Sequence, residues 1–136
     1  MYIVFGNEIM DTKDIKKTIE DNTEFKVLKD MSKGTKREDL AAYNLSISID
    51  ALNEELEGIE IDSLTEDELF EEYLATAEEA SMEIEEFLPE DSKMRFLPYS
   101  WDRSFEEVRG IILIGSLEIK DVKMMDILKR LLTQAE

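Results

Sequence analysis

Any chemistry in this chain has to be done by carboxylates. Its 136 residues include 34 Asp and Glu but no His and no Cys. That removes the commonest general base, the commonest metal ligand and every thiolate, and with them all Ser–His and Cys–His machinery. Carboxylates alone can hold Mg²⁺ or Ca²⁺. Glu68/Glu71 and Glu83/Glu86 have the E-x-x-E spacing that sets two of them side by side on a helix. These pairs fall on a polar face, whereas a ligand cluster should converge inside a pocket. The stretch "EIDSLTEDELFEE" lacks the spaced Asp residues and the Gly of an EF-hand loop. No Gly-rich phosphate loop is present, and nothing pairs two particular carboxylates for acid–base work on sugars. The sequence therefore assigns no catalytic residue, no metal and no cofactor, and it reads as non-enzymatic.

What the carboxylates do form is a one-signed surface. The formal net charge is −18, but it is not spread evenly. Between Glu38 and Ser92 there are 20 acids and no base, and the rest of the chain holds 14 acids against 16 bases. At the centre of the acidic segment, Thr65 and Glu68 form the T-x-x-E box that starts a helix, and Pro89 marks its end. On a helix over 66–88, Leu69, Phe70, Tyr73, Ala77, Ala80, Ile84, Phe87 and Leu88 share an arc of about 100°. Glu68, Glu71, Glu72, Glu78, Glu79, Glu83, Glu85 and Glu86 take the opposite arc, with Ala75 and Met82 among them. One face is core and the other is a wall of carboxylates. A solvated Glu-rich face is the plain reading of such a helix. Yet like charges at i, i+4 cost roughly 0.2–0.5 kcal/mol per pair, and ordinary surface helices mix signs.

The elements that must position this wall can be read from periodicity. Met1–Phe5 is a strand candidate, and Asp11 caps a short helix over Thr12–Asp21. Glu24–Met31 reads as a strand and Ser32–Lys36 as a turn. Tyr43, Leu45, Ile47 and Ile49 alternate with polar residues, which predicts a half-buried strand. Asp50 then caps a short helix through Glu57, closed by Gly58, with "IEID" as a short extension. Leu97, Tyr99 and Trp101 alternate in "RFLPYSWDR", but Pro98 restricts that stretch to an edge strand or loop. Ser104–Arg109 adds a helical turn. Gly110–Ser116 is the most apolar strand, and Asp121–Thr133 a final helix with Lys129 and Arg130 in its last turn. Strands and helices do not alternate strictly. We therefore expect one α+β domain over 1–136: a mostly antiparallel sheet of about four or five strands, packed on two or three helices that lie on one face.

These features predict a binding protein. Glu71, Glu72, Glu78, Glu79, Glu83, Glu85 and Glu86 are the candidate partner-binding residues, with Met82 as an apolar anchor among them. Carboxylates ~5–6 Å apart along a helix imitate the phosphate spacing of one nucleic-acid strand. The expected partner is a basic protein surface, that of a nucleic-acid-binding protein, engaged by an inhibitor or immunity-type protein. Direct nucleic-acid binding is not expected, because phosphate contacts need a basic patch. Tyr99, Trp101 and Arg103 form a secondary candidate interface for an acidic adaptor or structural subunit. The lysines of the first helix (Lys13, Lys16 and Lys17) allow a head-to-tail homodimer against a second copy's acidic wall. The N-terminus lacks a basic lead-in, and the longest aliphatic run is Ile111–Ile114, far short of the ~20 residues of a membrane span. A cytoplasmic location follows as an expectation.

Overall fold

Period-two runs of apolar residues build the sheet, and capped amphipathic segments cover it. The computed structural model describes every residue except Gly6, Glu57, Ile59 and Glu136. Along the chain come β1 (Tyr2–Phe5), β2 (Glu8–Asp11), α1 (Thr12–Asn22), β3 (Lys26–Asp30), a 3₁₀ turn (Ser32–Thr35), β4 (Leu40–Ser48) and α2 (Ile49–Glu55). A second 3₁₀ turn (Ile61–Ser63), α3 (Glu66–Glu85), β5 (Ser92–Asp102), β6 (Glu107–Ser116) and α4 (Asp121–Ala135) complete the order. β1 and β2 pair as a hairpin, and the main sheet runs β3-β4-β6-β5, antiparallel throughout. The α+β class expected from the sequence is the class observed. Among the described residues no helix is long and apolar enough to cross a membrane.

The two central strands are buried on both sides, which corrects two expectations. From β4, Ala41, Tyr43, Leu45 and Ile47 point to one side, where α1, α2 and α3 bring Ile15, Ile19, Leu52, Tyr73, Ala77 and Ile84. Leu40 and Ala42 point to the other side, where α4 brings Met124, Ile127, Leu128 and Leu131. β4 is therefore a covered strand rather than a half-buried one, and the helices lie on both faces rather than one. The alternation at Tyr43–Ile49 misled because Ala42 and Ser46 are small enough to be buried without reading as core. Ile111–Ile114 feed both cores alternately and are fully buried. Gly110 lets the edge strand cross here: a Cβ on it would collide with the Phe96 ring and lie 2.9 Å from the Leu97 carbonyl.

Several boundaries also move. Ser48 rather than Asp50 caps α2, accepting from the Ala51 N–H at 3.2 Å. The expected end of that helix at Glu57 lies outside the described residues, as does Ile59 of "IEID". α3 stops at Glu85, not Leu88, with Glu86 as its C-cap. Ser104–Arg109 is not a helical turn. Asp102 Oδ1 accepts from the Ser104 and Phe105 N–H groups at 2.9 and 3.1 Å, and Glu106 takes a positive φ of 50°, so the chain reverses into β6. α4 continues to Ala135, which leaves Lys129 and Arg130 before its last turn. Arg130 instead donates to the Gly34 and Thr35 carbonyls at 3.0 and 2.8 Å.

Candidate functional site

The acidic helix is fixed at both its start and its inner face. The Thr65 Oγ1 accepts from the Glu68 N–H at 3.2 Å while Glu68 Oε1 accepts from the Thr65 N–H at 3.1 Å, a complete capping box. The bond from the Thr65 N–H holds the Glu68 carboxyl below its ordinary range. Glu68 thus belongs to the cap, not the wall. On the inner face Tyr73, Thr76, Ala77, Ser81 and Ile84 are buried. Thr76 and Ser81 satisfy their hydroxyls on helix carbonyls, donating to Glu72 at 2.7 Å and Glu78 at 2.5 Å. These small residues turn the buried stripe away from the arc that apolarity predicts. Phe70 and Phe87, expected in the core, stand exposed at its margins. Tyr73 locks the helix in place: its Oη donates to Asn53 Oδ1 on α2 at 2.8 Å, and its ring meets Trp101 edge-on at 5.0 Å.

With its inner face held this way, α3 turns the predicted carboxylates outward. Glu71, Glu78, Glu79, Glu83, Glu85 and Glu86 are exposed, and Glu72 is half-buried. Met82 is 62% exposed. Its helix neighbours at i−4, i−3, i+3 and i+4 are Glu78, Glu79, Glu85 and Glu86, so the thioether stands inside the carboxylate cluster. Among the described residues the only ion pair made by α3 is Glu66 with Arg103, at the other end of the helix. The α3 residues Glu71–Glu85 and the C-cap Glu86 have no cationic partner there. Glu83, Glu85 and Glu86 also crowd the C-terminal end, where the helix dipole disfavours negative charge.

One part of the acidic surface was not singled out from sequence. α2 packs beside α3, and a groove of about 190 Å³ between them is lined by Glu54, Glu55 and Glu83, with Glu24 from the start of the β3 arm. Glu54 and Glu55 lie inside the base-free segment, so charge counting includes them. Their position against Glu83 depends on the α2–α3 contact, which no local pattern encodes. Among the described residues no three carboxylates converge closely enough to hold a metal ion.

The secondary candidates do not form one surface. The ladder between β5 and β6 slips between Pro98 and Ser100, and this bulge reverses the alternation. Tyr99 lies on the α4 side, where its Oη donates to Asn44 Oδ1 at 3.0 Å. Trp101 lies on the α3 side, half-buried against Tyr73, with the Arg103 guanidinium 4.6 Å from its ring centroid. Reading Leu97, Tyr99 and Trp101 as one face is thereby corrected. The exposed apolar side chains lie elsewhere, notably Tyr2, Val4 and Ile9 on the outer face of the β1–β2 hairpin, where Val4 pairs directly with Ile9.

Comparison of the chain with protein-family models, with curated proteins and with solved structures finds no match. The reading of its function rests on the geometry above.

Proposed function

We propose that this is a non-enzymatic acidic binding protein whose α3 face occupies a basic, nucleic-acid-binding cleft on another protein, as an inhibitor or immunity-type protein does. The observation that carries this reading is the carboxylate row from Glu71 to Glu86, without an ion pair among the described residues, with Met82 exposed inside it. A face of one sign steers encounter with a surface of the other sign and raises the association rate. Met82 adds the short-range apolar contact that charge lacks. Glu54 and Glu55 extend the same field across the groove toward α2. The alternative, an acidic adaptor that binds through Tyr99 and Trp101, is weaker because both side chains are already engaged within the fold. Its better anchor is the apolar hairpin face of Tyr2, Val4 and Ile9.

The test is a tagged capture experiment at low salt, run beside a Glu78→Lys/Glu79→Lys/Glu86→Lys variant and read by mass spectrometry. A basic nucleic-acid-handling protein held only by the unmodified chain, and displaced by competing duplex, supports the proposal. The same partner on both baits would sink it and move the contact to the hairpin. Association should also slow steeply with added salt, because exposed charges are screened beyond ~8–10 Å at physiological ionic strength.

A further inference from the structure

A further concave feature is built from elements other than α3. A cleft of about 450 Å³ opens where the start of α1, the end of β3, the first 3₁₀ turn and the end of α4 meet. Its volume is in the range of small-ligand sites. Three lysines from three elements line it: Lys13 of α1, Lys29 of β3 and Lys33 of the 3₁₀ turn. None of the three is in an ion pair among the described residues. Most lysines of the chain share that state, since Lys93 alone among them forms an ion pair among the described residues; what sets these three apart is that they line one cleft. The one carboxylate in the lining is Asp30, whose Oδ1 already accepts from the Ser32 N–H at 2.9 Å. Thr12, 1% exposed, is part of the lining, and its Oγ1 is the one buried side-chain polar atom without a hydrogen-bond partner among the described residues. Buried hydroxyls are almost always partnered, and an absent ligand or water is one physical reason for an orphan. Gln134 of α4 adds an amide to the rim.

We propose that this cleft binds a small phosphorylated anion. The recognising groups are side chains rather than the helix terminus itself, since the Thr12 N–H is given to the Met1 carbonyl and the Lys13 N–H to Asp11. Three ammonium groups suit a diphosphate as point charges, each with freely rotating donors. A compact ligand fits better than a polymer. A nucleic-acid strand leaving the cleft would find no continuous basic surface, because the arms that build it hold 14 acids against 16 bases, whereas a compact anion stays within reach of the three lysines. The inference is independent of the role proposed for α3.

The experiment is an amide NMR titration with inorganic pyrophosphate at low ionic strength, accompanied by thermal unfolding and by a sulfate control at matched ionic strength. Saturable shifts confined to the segments around Thr12, Lys29 and Gly34, with a rise in melting temperature that sulfate does not reproduce, are expected. Lys29→Ala/Lys33→Ala should weaken binding at least roughly tenfold, since each lost charge-assisted contact counts about that much. Thr12→Val should weaken it less. The Glu78→Lys/Glu79→Lys/Glu86→Lys variant should bind pyrophosphate as the unmodified chain does, which separates this site from the α3 proposal. Non-saturating shifts spread over all surface lysines, equal effects from sulfate, or unchanged affinity in Lys29→Ala/Lys33→Ala would overturn the inference.

Discussion

α3 and α4 do the same structural work on opposite faces of one sheet, and they meet solvent in different ways. Each buries a full stripe, ending in Ile84 on one side and Leu131 on the other. On α4 the outward charges alternate in sign: Lys123, Asp126 and Lys129 follow one another, and Asp121 is paired with Lys93 at 3.2 Å and Arg95 at 3.0 Å. On α3 every outward charge is negative, and beyond Glu66 none is paired among the described residues. A mixed-sign helix thus suffices to cover one face of the sheet in this same molecule. The one-signed helix is a departure that the sheet does not require, and the proposed binding role rests on it.

The comparison can be broken most forcefully at its common term, the core. Ile84→Ala and Leu128→Ala should each cost about 2–5 kcal/mol in denaturant unfolding, because both side chains are buried among packed neighbours. A near-neutral result for either would mean that helix is an attachment rather than a wall of the core. Trp101→Ala is next, at about 2 kcal/mol, since it removes a half-buried ring and its contacts with Tyr73 and Arg103. Binding of a partner through α3 should survive that change. Thr65→Ala should cost about 1 kcal/mol by opening the capping box.

The charge contrast itself is sharpened by smaller effects of opposite sign. Glu78→Lys/Glu79→Lys/Glu86→Lys should leave stability equal or raise it by up to about 1 kcal/mol, from relief of like pairs of a few tenths each. Lys129→Glu on α4 should lower it by a few tenths, and added salt should stabilise the unmodified chain but not the triple variant. Least of all is the pH effect of Glu68. Its carboxyl is lower in the fold than when unfolded, so its contribution is complete above the ordinary carboxylate range and is lost as pH falls through the lower folded value. Acid unfolding of Glu68→Gln should show a correspondingly shallower dependence across that window.

Local signals were legible and long-range ones were not. The capping box at Thr65, the N-cap at Asp11 and the apolar run at Ile111–Ile114 each act within a few residues, and each stands where the pattern puts it. The outward placement of Glu71, Glu78 and Met82 follows from the same period. What the pattern could not give is what covers the second side of β4, because Ala42 looks too small for core until α4 is laid over it, and Ser46 reads as polar although it is buried. The bulge that parts Tyr99 from Trp101 is equally invisible, since it is a property of the ladder with β6. The lysine-lined cleft joins residues from 1 to 134, and no window of sequence holds it.

The bulge at Pro98–Ser100 has a counterpart between Val27 and Lys29, so both outer strands of the main sheet are interrupted. An interrupted rim offers no straight run of free backbone groups for another strand to zip onto, and Pro98 removes one donor outright. By that argument strand-to-strand stacking of copies is expected to be less favourable than for a sheet with straight, unbroken edges. A neighbour that docks on either interrupted edge then has to be recognised through side chains, where a single substitution can retune the choice.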